Sequence, residues 1–244
     1  MTGQRLVLPK VIGHRGAPKR APENTLASFK EAHRLGVQWV ELDVQLSRDL
    51  VPVIFHDWEL GRTSNGEGRL IEHDSSYLRQ LDVGSWFAPE FASERLPSFE
   101  SVLDLLVRCG LGVNIEIKAE DDRAALTVEK GLAQALAQWP KDRDPPLVTS
   151  FSRLALAAAR EVAPDWPRGL VSHSWPRDLA EAARRYDCST VHVAASDVDE
   201  GKVRAARNLG LEVLSYVVDD PLQAHQLWQW GVASVFSDRP EQLI

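Results

Sequence analysis

Four short segments carry the residue types that metal and acid-base chemistry need: His14-Arg15, Glu41 with Asp43, His56-Asp57, and Glu116 with Lys118. Glu41 and Asp43 stand two apart, as do Glu116 and Lys118, so on β-strands each pair points to a single face. Three carboxylates gathered inside a fold repel one another and lose their hydration, and a bound cation relieves both costs. A ligand set made only of oxygen suits Mg²⁺, Ca²⁺ or Mn²⁺ better than Zn²⁺. Glu41, Asp43 and Glu116 are therefore the metal candidates, against the alternative of an ionic core balanced by Arg15 and Lys118.

Imidazole titrates closest to neutral pH, which makes His14 and His56 the candidate acid and base, with His56 expected to protonate the leaving oxygen. A metal beside such a pair suits attack on phosphorus and release of an alkoxide. Arg15 offers planar bidentate donors matched to phosphate oxygens, and Lys118 adds a point charge. His33, His73, His192 and His225 read as packed or surface histidines, while His173 ends an expected strand and stays open.

The elements that must position these groups alternate. Short apolar β-rich runs near 11–15, 39–43, 112–117, 146–150, 168–172, 190–194, 211–217 and 233–236 alternate with longer segments of helical periodicity. Eight strands joined by helical crossovers predict a single (β/α)8 barrel, and barrel enzymes place their chemistry at the C-terminal ends of the strands. Each candidate group falls there. Asn24, Ser98 and Asp220 precede helical runs as expected N-caps, and Gly36, Gly110, Gly210 and Gly231 follow them as expected terminators. A ninth strand-like run, 51–55, lies too close to its predecessor for a parallel crossover, so it should fold back as a hairpin arm that lowers His56 toward the mouth.

Residues 58–96 are irregular, and a connection of that length is usually functional. They are expected to form a small insertion after the second barrel strand that caps the mouth, against the alternative of a peripheral helical elaboration. The rest of residues 1–244 reads as one domain.

Bulk properties narrow the field. The 244-residue chain has a formal net charge of −7 and no basic cluster, which excludes nucleic acid as a partner. No run approaches the ~20 apolar residues of a membrane span, and Met1 to Lys10 lacks a signal-peptide core, so a cytoplasmic protein without stable membrane association is expected. Cys109 and Cys188 are not closely paired and read as packed thiols, and assembly as a homo-oligomer is left open.

The segments Gly13-His14-Arg15-Gly16, Pro22-Glu23-Asn24-Thr25-Leu26, Glu41-Leu42-Asp43-Val44, Pro52-Val53-Ile54-Phe55-His56-Asp57, Glu116-Ile117-Lys118 and Ser237-Asp238-Arg239-Pro240 together resemble the glycerophosphodiester phosphodiesterase family in order and spacing. The resemblance spans nearly the whole chain. It implies a phospholipase C-like barrel that hydrolyses glycerophosphodiesters to sn-glycerol 3-phosphate and an alcohol. It also implies metal at Glu41, Asp43 and Glu116, acid-base roles for His14 and His56, and phosphate binding by Arg15 and Lys118. The attacking group would be the glycerol 2-hydroxyl or a water. Where the family has a Trp-Thr-Val-Asn stretch this chain reads Ser215-Tyr216-Val217-Val218-Asp219, so Tyr216 is expected as the apolar wall beside the glycerol. Glu23 either orients Arg15 or complements the following helix. The alternatives are a related phospholipase C-like enzyme acting on lysolipid or phosphoinositide, for which Trp86 and Phe87 would be the membrane-facing groups, and a non-catalytic phosphate-binding barrel.

Overall fold

A computed structural model of the chain describes residues 6–244. Among the described residues, eight parallel strands close on themselves: β1 (Val11–Gly13), β2 (Trp39–Leu46), β4 (Gly112–Ile117), β5 (Leu147–Ser150), β6 (Arg168–Ser172), β7 (Thr190–Ala194), β8 (Glu212–Tyr216) and β9 (Ser234–Ser237). Each pairs with its neighbour in sequence, and β9 returns to pair with β1. The expected (β/α)8 barrel is the fold. β3 (Pro52–Ile54) runs antiparallel to the upper half of β2, with Val44 opposite Ile54, as the arm was expected to do.

Every residue of β2 is buried: Val40, Leu42 and Val44 pack in the apolar layer under the helices, while Glu41, Asp43 and Gln45 alternate with them and face inward. The helices α1 (Leu26–Arg34), α3 (Phe99–Cys109), α4 (Ala124–Gln138), α5 (Arg153–Val162), α6 (Leu179–Tyr186), α7 (Glu200–Asn208) and α8 (Pro221–Trp230) wrap the barrel, and α2 (Ser75–Leu78) is a single turn in the insertion. Two large apolar clusters fill the space between sheet and helices. A third, of Ile12, Trp39, Leu147, Leu214 and Phe236, plugs the barrel interior. Gly112 is required here, because a Cβ at that position would stand 2.3 Å from the Trp39 ring.

Ser98 and Asp220 cap their helices as expected. Asn24 does not. Thr25 caps α1, its Oγ1 accepting from Ser28 N at 3.1 Å, because Asn24 is pulled toward the barrel and donates Nδ2 to Asp43 Oδ2 at 2.8 Å. α6 begins at Leu179 rather than near Pro176, and its terminator is Asp187 in the left-handed region at φ 51.

Residues 58–96 consist of three 3-10 turns and α2 around their own apolar cluster, in which Leu60, Leu70, Leu78 and Leu96 pack on Val53 and Phe55 of the arm. Trp86 is 42% exposed, but it stacks edge-on against Phe87, which in turn stacks on Phe91. Among the described residues no helix is long and apolar enough to cross a membrane.

Candidate active site

The C-terminal ends of the strands open onto a cavity of about 620 Å³. One wall is polar and carries His14, Arg15, Glu41, Asp43, His56, Glu116 and Lys118, so all seven charged candidates from the sequence meet in one place. Phe151, His173, Tyr216 and Val217 form an apolar wall, Trp58 lies beside Lys118 with the Nζ 5.7 Å from its ring centroid, and Asn114, His192 and Phe236 form the floor. Neither Trp86 nor Phe87 lines it.

Strand register explains the acidic cluster. Asp43 on β2 lies directly beside Glu116 on β4, and Glu41 lies one inward-facing position below Asp43. One oxygen from each of the three lies within 4.8 Å of the others. Burial pushes the Glu41 carboxyl well above its usual range, with the Asp43 and Glu116 charges adding to the effect. Burial and Asp43 push Glu116 up to about 7, although Lys118 Nζ stands 3.6 Å away. Burial alone would raise Asp43 too, but Arg15, His56 and Lys118 more than cancel it and its pKa falls. Positive charge around the cluster thus satisfies one carboxylate and leaves two short, and an all-oxygen donor set of this kind fits a hard divalent cation.

Each imidazole is backed by a carboxylate at Nδ1. His56 Nδ1 lies 2.5 Å from Asp57 Oδ1, and His14 Nδ1 lies 2.7 Å from Asp238 Oδ1. His14 Nε2 then faces Glu41 Oε2 at 4.0 Å. Gln45 holds the His56 segment in place, its Nε2 donating to Phe55 O at 2.7 Å and Asp57 O at 2.9 Å. Burial, with Arg15 and Lys118 nearby, lowers the His56 pKa against the opposing pull of Asp43.

Arg15 sits in the left-handed region at φ 51, in a tight turn where its backbone N–H donates to Glu41 Oε2 at 2.9 Å. Its Nη1 is committed to Glu23 Oε1 at 2.6 Å, which settles Glu23 as the partner that orients Arg15. Glu23 and Asp57 are tied together by Arg62 of the insertion, which donates to both. Tyr216 stands on the apolar wall, and its hydroxyl donates to Ser172 O at 2.8 Å. His173 stacks on Phe151 with ring centroids 4.5 Å apart. His192 is packed as expected, yet it reaches the cavity floor; burial drops its pKa to about 3, so it is neutral.

A family model of the glycerophosphoryl diester phosphodiesterase family matches residues 14–242. The chain belongs to that family. Like other members of the glycerophosphoryl diester phosphodiesterase family it is a phosphoric diester hydrolase. It is 31% identical over 237 residues to the glycerophosphodiester phosphodiesterase of Caldanaerobacter subterraneus subsp. tengcongensis, spanning 96% of each chain. It is also similar to the phosphodiesterase of Oleispira antarctica, solved in complex with the product sn-glycerol-3-phosphate: TM-score 0.94, 36% identity, 97% of this chain and 95% of that one. The glycerophosphodiester phosphodiesterase of Agrobacterium tumefaciens superposes with a TM-score of 0.78 at 28% identity, covering 97% and 99% of the two chains.

Asp238, Asn24, Gln45 and Arg62 are the site residues that reading the sequence missed. Only Asp238 left a usable signal. It follows the last strand at the end where chemistry collects, and closure of a barrel must set the last strand beside the first.

Proposed function

We propose that this enzyme hydrolyses glycerophosphodiesters to sn-glycerol 3-phosphate and an alcohol, using one divalent cation held by Glu41, Asp43 and Glu116. The observation that carries the reading is the convergence of three carboxylates within 4.8 Å, two of them buried and two with raised pKa values, beside two carboxylate-backed imidazoles. The product seen with the Oleispira antarctica relative supports the glycerol 3-phosphate half of the substrate.

When bound, Mg²⁺, Ca²⁺ or Mn²⁺ would offset the charge on the phosphate oxygens and make an attacking hydroxyl more acidic. The chain's own residues do the rest. Lys118, beside the cluster, and the part of the Arg15 guanidinium not used by Glu23 draw the phosphate to the polar wall. His14 and His56 move the protons. A carboxylate holds each ring at Nδ1, so Nε2 is the atom that gains or loses the proton in both, and burial lowers the pKa of the half-buried His56. Phe151, Tyr216 and Val217 give the organic part of the substrate an apolar face. Residues 58–96 act as a partial cap on the single domain through Trp58, which lines the cavity, and Arg62.

The test is release of sn-glycerol 3-phosphate from a panel of glycerophosphodiesters by enzyme treated with EDTA and then resupplied with Mg²⁺, Ca²⁺ or Mn²⁺. Turnover lost with chelation and restored by metal is expected. Turnover indifferent to EDTA would reject the metal site, and ligand binding without turnover would favour a binding protein. Faster rates on micellar lysolipid than on glycerophosphocholine would favour the lipid-acting alternative.

A further inference from the structure

Asp238 is the first residue after β9 and stands 224 positions from His14, yet closure of the barrel places them side by side. His14 N donates to Ser237 O at 3.0 Å, which fixes the backbone of the pair. The backbone that carries Asp238 is held in turn. Asp219, on the loop between β8 and α8, accepts through Oδ1 from Ser237 Oγ at 2.8 Å, from Asp238 N at 2.8 Å and from Arg239 N at 3.2 Å. Lys19 Nζ lies 3.5 Å from the other Asp238 oxygen, Oδ2. An ionised carboxylate can only accept, so the ring hydrogen of His14 belongs on Nδ1 and the lone pair on Nε2, toward Glu41.

The other imidazole is built alike from different material. Its carboxylate, Asp57, is adjacent in sequence, and the Arg62 guanidinium grips it. Among the described residues Asp238 has no guanidinium pair; the Lys19 ammonium stands 3.5 Å from Oδ2, and the turn that presents the carboxylate to His14 is held by Asp219.

We propose that Asp238 is a positioning residue for hydrolysis, fixing the tautomer and ring orientation of His14 so that Nε2 faces the acidic cluster. The inference rests on the reading of His14 as a proton-transfer group. A purely structural Asp238 would anchor the last residues and leave the chemistry untouched.

The decisive variant is Asp238→Asn, which keeps the shape of the turn and removes the obligate acceptor. In metal-loaded enzyme acting on glycerophosphocholine, kcat is expected to fall roughly 10²- to 10⁴-fold, the range seen when an acid-base group or its orienting carboxylate is lost. KM should stay within about threefold, since substrate binding is not the step affected. Metal affinity should not change, because Asp238 touches no member of the acidic cluster. Unchanged kcat, or a change confined to KM, overturns the proposal. Should the variant not fold, ¹⁵N NMR of the His14 ring in the native enzyme decides: hydrogen on Nδ1 supports the proposal, and hydrogen on Nε2 overturns it. His14→Ala separates the two readings. Turnover retained in that variant rejects His14 itself, whereas an inactive His14→Ala beside a fully active Asp238→Asn rejects only the role of Asp238.

Discussion

Replacing Glu116 by Gln keeps the size of the side chain and deletes its charge. Glu116 is largely withdrawn from water next to Asp43, and desolvation and the Asp43 charge carry its pKa from 4.5 to about 7. Below about pH 4.5 the carboxyl is protonated in both folded and unfolded chains, so its favourable contribution is fully present. As pH rises, the unfolded chain gives up its proton while the metal-free fold retains it, and stability declines until the folded pKa has been passed. The interval from 4.5 to about 7, at about 1.36 kcal/mol per pH unit, amounts to about 3 kcal/mol. Glu116→Gln escapes that penalty. Chelated with EDTA at about pH 8, the variant should melt above the native protein by roughly 6–12 °C for a chain of this size, and the gap should close near the carboxylate range. Mg²⁺ or Ca²⁺ at about 1,000 times its Kd should invert the order, since it stabilises the native site by about 4.1 kcal/mol, more than the advantage of the variant, which has lost one of the three oxygen donors. Calorimetric melts across pH, with chelator and with metal, measure all of this. A chelated variant no more stable than the native protein at high pH, or an advantage independent of pH, would refute the account of the cluster as charge waiting for a cation.

His56→Ala should lower kcat by about 10²- to 10⁴-fold while calorimetric metal binding stays intact; loss of metal instead would make His56 a ligand. Arg62→Met should release Asp57 and Glu23 together and reduce kcat about tenfold, with little change in melting temperature because the ion pairs lie partly in solvent. Steady-state rates beside a thermal melt check it, and an unchanged kcat would disconnect the insertion from the chemistry.

The strands were legible because a parallel barrel buries both faces, so each appears as an apolar run bounded by turn residues. The arm was legible because only seven residues, Val44 to Leu50, separate the strand expected to end at Asp43 from the run at 51–55. The Asn24 cap was misread for a physical reason: local geometry offers Asn24 and Thr25 nearly equal claims, and Asp43 settles the matter from across the barrel. Gln45 gave no sign, since an inward Gln on a strand resembles any buried amide until Phe55 and Asp57 are folded back over it.

What the sequence determined by itself was the inventory and its phase: carboxylates two apart on one strand face, histidines at strand ends, and eight alternations that must close. The tertiary structure decided which charges remain uncompensated. Glu41 and Glu116 rise while Asp43 falls because the outcome depends on burial and on where the charges of Arg15, His56 and Lys118 come to rest. It also decided that the chain's last turn reaches its first histidine. Sequence spacing fixes direction along one strand, but distances between strands exist only once the barrel has closed.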